Sequence, residues 1–356
     1  MERITTGTLN LLHGHIGRKR VRKNIHHREL RTGTEDHREY FIKHWCHPVC
    51  SPLFEGACPA TDGRIKEGWD LRERRKKKEE RVRRKRGFVG VIKVGCSGYS
   101  YDDWRGTFYP RNLNKSQFLT YYSRYFDFAE LNYTYYQMPS PEQMAAYGKF
   151  ELDFIIKAHQ SLTHRFQDNE FDFKTFKMAI QPLKESGRLG GILAQFPFSF
   201  HTTAKNLDYL EFVLEWGREM KLNIEFRNPG WLKPEIFDLL KSNQAGIVVT
   251  DAPEVEGGMP KHATVIGSTG YIRFHGRNAE NWWTGNNASR YQYNYSDDEI
   301  KSWLPDIEQM ASESSTLYIA FNNHAKGYAV MNALRLRGLL HLDEIPPPPG
   351  ESGSLF

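Results

Sequence analysis

The chain has 356 residues, 49 Lys+Arg against 43 Asp+Glu and 39% hydrophobic residues, enough for one large domain or two ordinary ones. It contains no run of about 18 apolar residues, which argues against a membrane-spanning helix, and its N-terminus lacks the apolar stretch of a secretory signal.

The formal net charge of +6 hides a split. Residues 1–88 carry 23 Lys+Arg and 12 Asp+Glu, which leaves 26 and 31 for the remainder. The same first segment holds only 6 of the 48 Phe, Trp and Tyr residues. The basic balance is therefore no nucleic-acid footprint of the aromatic-rich part. Residues 1–88 show no sustained period of 2 or 3.6 and close with the charge block RERRKKKEERVRRKRG, Arg72–Gly87, which should stay solvated. A disordered basic extension is expected. One functional reading is an arm for nucleic acid. Another is a zinc site in HWCHPVC from Cys46, Cys50 and either His44 or His47, although its spacing is poor and no second half follows. A third reading needs no function. Arg, Lys, Glu and Gly are all encodable by purine-only codons, as in a ribosome-binding tract. Val91 opens a strand-like run and could mark the true start, which would make much of 1–90 a mispredicted extension. Cys46, Cys50 and Cys58 lie in this segment and Cys96 alone in the rest. A lone thiol suits a reducing cytosol, so a cytoplasmic protein is expected.

From residue 89 onward a unit recurs: a short apolar run, polar residues at its end, then a stretch of helical spacing. The runs are VIKVGCSG (91–98), FAELNYT (128–134), FIIKAH (154–159), GGILAQFP (190–197), LNIEFRN (222–228), AGIVVTDAP (245–253), GYIRFHG (270–276) and LYIAFNN (317–323). Amphipathic stretches such as FKTFKMAIQPLKES and NLDYLEFVLEWGREM separate most of them. Asp172 and Asp297 are placed as N-caps and Pro234 near a helix start. Eight alternations predict an α/β fold, a (β/α)8 TIM barrel over 89–342, followed by a Pro/Gly-rich tail over 343–356. An open doubly wound sheet lacks its Gly-rich phosphate loop here. The sixth unit, EVEGGMPKHATV, carries no convincing helix, and the long aromatic loop from Gly276 to Ser296 reads as a lid or substrate wall.

In such a barrel the strand C-termini build the site, and each run here ends in polar residues. Ser97, Glu130, Asn132, Lys157, Gln195, Glu225, Arg227, Asp251, Arg273, His275 and Asn322 to His324 are the candidates. Bland readings exist for each: Glu225 and Arg227 share a face and could simply pair, His159 and His164 could be idle loop residues, and Cys96 reads as a small buried hydrophobe. Together they are more polar groups than barrel closure requires.

At this point the blocks CSGYSYDDWRGTFYP, FAELNYTYYQMPS, LTH, LAQFPFSF, IEFRNPGW, TDAP, YIRFHG and FNNHAKGYAVMNA resemble the domain of unknown function 72 (YecE-like) family, from about Val91 to Leu340. The resemblance implies a TIM barrel and no established activity. It begins near Val91, leaving 1–88 outside it. Function rests on the residues, which support an enzyme, in one reading a hydrolase, for an anionic, phosphate-bearing or nucleotide-like substrate. Glu130, Glu225, Asp251, His275 and His324 are its expected acid–base residues. Asn132, Lys157, His164, Gln195, Arg227, Trp231, Arg273, Asn322 and Asn323 are its expected binding residues. No cofactor is expected; the alternative is a divalent metal on Glu225, Asp251, His275 and His324, which the neighbouring arginines disfavour. Two further alternatives are a two-carboxylate glycosidase walled by Trp104, Trp231, Trp282 and Trp283, and a binding module for nucleic acid or a metabolite.

Overall fold

Runs of Val, Ile, Leu and Phe form strands here because both faces of a parallel sheet are buried, which leaves no room for polar alternation. The computed structural model describes residues 90–342. In it the strands are β1 (Val91–Ser97), β2 (Phe128–Leu131), β3 (Asp153–Lys157), β4 (Leu189–Gln195), β5 (Leu222–Glu225), β6 (Gly246–Asp251), β7 (Thr269–Phe274) and β8 (Thr316–Phe321). They pair in parallel and in sequence order, and β8 closes on β1. Helices follow most strands, and the crossover from β6 to β7 has none, as its sequence suggested. The basic segment, the zinc reading within it and the Pro/Gly-rich tail lie outside the described residues.

Local sequence sets the helix starts with two corrections. The helix Glu170–Glu185 follows Asn169, so Asp172 sits in its first turn and not at its cap. Ser296, not Asp297, caps the helix Asp297–Lys301, and its hydroxyl trades hydrogen bonds with Glu299 in a capping box. Pro234 does open its helix.

Alternation along each strand gives the barrel two distinct sides. Outward residues such as Val94, Ile156, Ile224, Val249 and Phe274 join the main core beneath the helices. The inward ones stack in layers. Lys93 of β1 pairs with Asp153 of β3 at the lower end, where Tyr318 also donates to Asp153 at 2.7 Å. Above them Phe128, Ile155, Leu193, Val248, Tyr271 and Ala320 form a separate apolar cluster. The top layer is polar and buried: Ser97, Glu130, Glu225, Thr250 and Arg273.

Gly95 matters to closure, because a Cβ there would overlap the carbonyl oxygen of Phe128 on the adjacent strand. Gly95→Ala should therefore force β1 and β2 apart at a cost of about 1–3 kcal/mol. A urea midpoint unchanged from the parent protein would refute this account of the strand contact.

Candidate functional site

The top layer is organised by Arg273. Its guanidinium meets Glu130 side-on, Nε to Oε2 at 2.8 Å and Nη2 to Oε1 at 2.6 Å. It reaches Glu225 Oε2 through Nη1 at 2.5 Å and Ser97 Oγ through Nη2 at 3.2 Å. Four hydrogen bonds thus occupy most of the donors a guanidinium has, and the side chain is 1% exposed. Tyr271, two residues earlier on the same face, donates its hydroxyl to Glu130. Glu225 gains two more neighbours: Arg227 Nε at 2.7 Å and His275 Nε2 at 3.3 Å.

The charge states follow from these contacts. Burial alone would raise the Glu225 carboxyl, but Arg227, Arg273 and His275 hold it well below its usual range. Burial, reinforced by the Arg227 charge, pushes His275 down to about 3, so its ring is neutral. Asn322 Nδ2 lies 3.0 Å from Nδ1 of that ring. An amide N–H there leaves Nδ1 as the acceptor and places the ring proton on Nε2, facing Glu225. Both nitrogens are then committed. His164 is exposed as a residue after β3, yet the partial cover over its ring, and then the Lys157 charge, lower it to about 4.

Above this layer a cleft of about 200 Å³ opens, lined among others by His164, Gln195, Arg227, Trp282, Trp283 and Arg290. Arg227 differs from Arg273 in what it leaves unused. Its Nε touches Glu225 without the alignment of a hydrogen bond, and among the described residues its terminal nitrogens have no acceptor. Its guanidinium lies 5.6 Å from the Trp282 ring centroid, within cation–π range. Phe198 and Trp283 meet edge to face at 5.1 Å and stay exposed at 38% and 47%. Among the described residues no carboxylate lines the cleft. The loop from Gly276 to Ser296, expected as a wall, supplies Trp282, Trp283, Arg290 and Tyr291 to it. Trp282 is largely buried at 6%.

The structure thus brings Glu130, Glu225, Arg227, Arg273, His275, Lys157, Gln195, Asn322 and His164 to the mouth, and turns other candidates elsewhere. Asp251 faces outward and accepts from Tyr295 Oη at 2.6 Å, Trp303 Nε1 at 2.7 Å and Arg277 Nη2 at 2.6 Å. Asn323 also faces outward, donating to Asn332 Oδ1 at 2.7 Å and to the Tyr293 carbonyl at 2.8 Å. Each sits one residue from an inward neighbour, Thr250 or Asn322, and period two sends it to the other side. Trp231 is fully buried, stacked between Phe200 and Phe226. His324 stacks on Tyr101 at 4.7 Å beside β1, away from the cleft lining. Asn132 extends the inward face of β2 and leaves its Oδ1 buried without a partner among the described residues.

The four residues of the metal alternative are therefore not assembled, since only Glu225 and His275 touch. Among the described residues no group of three or more His, Cys, Asp or Glu is arranged to hold a metal ion, and no helix is long and apolar enough to cross a membrane. Sequence reasoning missed Tyr271, Thr250, Phe198 and Arg290. Tyr271 was within reach, because Tyr271, Arg273 and His275 alternate on one face; Thr250 was not, because β6 is buried along its whole length. Phe198 and Arg290 come from loops, where no periodicity announces which way a side chain points.

The barrel fold is shared with solved proteins. Residues 93–352 match the family described as "Protein of unknown function DUF72", and the chain belongs to that family. It is 27% identical over 276 residues to the UPF0759 protein YunF of Bacillus subtilis (strain 168), covering 71% of this chain and 96% of that protein. A crystal structure of a DUF72 family protein from Thermotoga maritima MSB8 superposes with a TM-score of 0.66 at 36% identity, over 70% of this chain and 99% of that one. Another from Enterococcus faecalis V583 gives 0.64 at 26% identity, over 72% and 97%.

Two outcomes follow from the geometry of this layer. Arg273→Ala should cost about 3–5 kcal/mol, because it strands Glu130 and Glu225 in a dry interior; a melting temperature close to that of the parent protein would contradict this. Acid should also destabilise the fold. His275 at about 3 lies below its ordinary 6.5, so the unfolded chain takes up that proton first. Its contribution is complete above the unfolded value and is lost as pH falls toward 3; Glu225 acts in the same direction below 4.5. Unfolding free energy should fall by up to about 1.4 kcal/mol per pH unit from His275 in that window. His275→Gln should flatten the slope.

Proposed function

We propose that the mouth binds a small anionic ligand, phosphate- or carboxylate-bearing, that also carries a flat or apolar portion, as a nucleotide does. The observation that carries this reading is the pair of terminal nitrogens of Arg227, left without an acceptor among the described residues while its Nε faces Glu225, in a cleft that no described carboxylate lines. Arg290 adds a second cation to the lining, and its Nε is likewise without a partner among the described residues. Planar N–H forks match phosphate and carboxylate oxygens, while Phe198, Trp282, Trp283 and Tyr291 offer faces to a ring.

The same geometry weighs against a two-carboxylate glycosidase, since Glu130 and Glu225 both bond one guanidinium. Hydrolysis by His275 is also disfavoured, because its ring is neutral with both nitrogens engaged. The cleft suits a single small ligand better than a nucleic-acid duplex, and the charge of residues 89–356, 26 Lys+Arg against 31 Asp+Glu, supports that preference.

Titration of the full chain with inorganic phosphate and with adenosine monophosphate should change tryptophan fluorescence saturably, because Trp282 and Trp283 wall the cleft. Arg227→Ala should weaken binding about tenfold or more, about 1.4 kcal/mol, with far less loss of stability than Arg273→Ala. Failure of both ligands to bind the parent protein at millimolar concentration would remove this reading.

A further inference from the structure

We infer that Lys157 is a nucleophile that condenses with the carbonyl carbon of an anionic aldehyde or ketone, which would make the substrate an oxo acid or a phosphorylated carbonyl compound; this rests on the anion-binding reading of the same cleft. Lys157 ends β3 on the inward face, level with the polar layer. The partners a cation would be expected to take there are Glu130 and Glu225, and Arg273 occupies both. Among the described residues Lys157 forms no ion pair. Its Nζ donates to Gln195 Oε1 at 2.9 Å and lies 4.8 Å from the centroid of the Tyr135 ring. Gln195 and His164 both line the cleft, so the amine stands one hydrogen bond behind the cleft wall.

A structural lysine in a protein interior is normally matched by a carboxylate, since an unpaired buried ammonium is costly. Lys157 is only partly buried, and a partly buried amine without that match is still easier to hold neutral than an exposed one; a neutral amine attacks carbonyls. The groups facing Lys157 are Glu130 from β2, Tyr135 and His164 from the segments after β2 and β3, Gln195 from β4, Glu225 at the end of β5 with Arg227 just beyond it, and Arg273 from β7. Burial and the Arg273 charge lower the amine against the pull of Glu130 and Glu225, and Arg227 lowers it further, to about 8. A fraction of the side chain is then uncharged at neutral pH, whereas an ordinary lysine with a value of about 10.4 is almost wholly protonated.

The chemistry balances without a redox partner. The Nζ lone pair attacks the carbonyl carbon, the C–O π electrons move to oxygen, and that oxygen takes a proton to give a carbinolamine. A second proton lets the hydroxyl leave as water while nitrogen re-forms the double bond, giving a protonated imine. The amine supplies one of these protons and water in the open mouth the other. Arg227 would hold the anionic end of the substrate during these steps, and the positive imine would replace the ammonium charge that the layer already accommodates.

The test uses the full chain and pyridoxal 5′-phosphate, which combines phosphate, an aromatic ring and an aldehyde, with cyanoborohydride to fix the imine. Peptide mass mapping of the native protein should find Lys157 labelled several-fold faster at neutral pH than the exposed Lys174 and Lys205. The Lys157 rate should level off above about 8, following its own titration, while the exposed lysines keep accelerating toward about 10. Excess inorganic phosphate should protect Lys157 alone, and Lys157→Arg should lose the label while keeping the charge. The native peptide map decides the matter even if that variant folds poorly. Label confined to exposed lysines, with phosphate still perturbing tryptophan fluorescence, overturns the imine and leaves the anion cleft standing. Loss of both signals removes the cleft and the imine together.

Discussion

Two carboxylates and one guanidinium at the top of the barrel govern everything around them. Glu130 and Glu225 come from strands on different sides of the barrel and would repel each other in a dry interior. Arg273 from a third strand bonds both and also reaches Ser97 of a fourth. Such an arrangement is stable only while complete, because the interior charges cost far more unpaired than paired. The fork has a second effect. By taking both carboxylates it leaves Arg227 only a poorly aligned contact and Lys157 no ion pair among the described residues. The donors left over at the rim follow from a residue that is itself only 1% exposed.

The membership in a family without established activity places the weight on such local geometry. A likeness at 36% or 26% identity to solved relatives supports the barrel, and the barrel by itself hosts many chemistries. What narrows the field is which donors remain unspent after the fold has taken its share.

How much of this was legible in the sequence depends on what each signal encodes. Strand starts came through within one residue because apolar runs are short and sharply bounded, as in LNIEFRN around β5 and LYIAFNN around β8. The helix-free sixth crossover and the long aromatic loop were also readable. Strand phase was not. A strand buried on both faces, such as GIVVTD in β6, gives no polar alternation to say which residues look inward, so Thr250 and Asp251 could not be told apart. The same ambiguity separated Asn322, which orders His275, from Asn323, which ties the last strand to a helix. Trp231 misled for another reason: its indole N–H finds a backbone carbonyl, Phe200 at 2.5 Å, so a large aromatic near a strand end needed no ligand.

Asp251 illustrates how an outward residue can still shape a pocket. The loop over the mouth has its first foot at Gly276 and Arg277 and its second at Tyr295. Gly276 N–H donates to the Tyr295 hydroxyl at 2.8 Å, and that hydroxyl and Arg277 both donate to the Asp251 carboxylate. One anchor outside the barrel wall therefore fastens both ends of the span that carries Trp282 and Arg290. Midway, Asn278 Nδ2 braces the span by donating to the Ser289 carbonyl at 2.9 Å. The ceiling of the cleft is suspended like an arch from a single springing point, and its height over Arg227 is set from behind the wall.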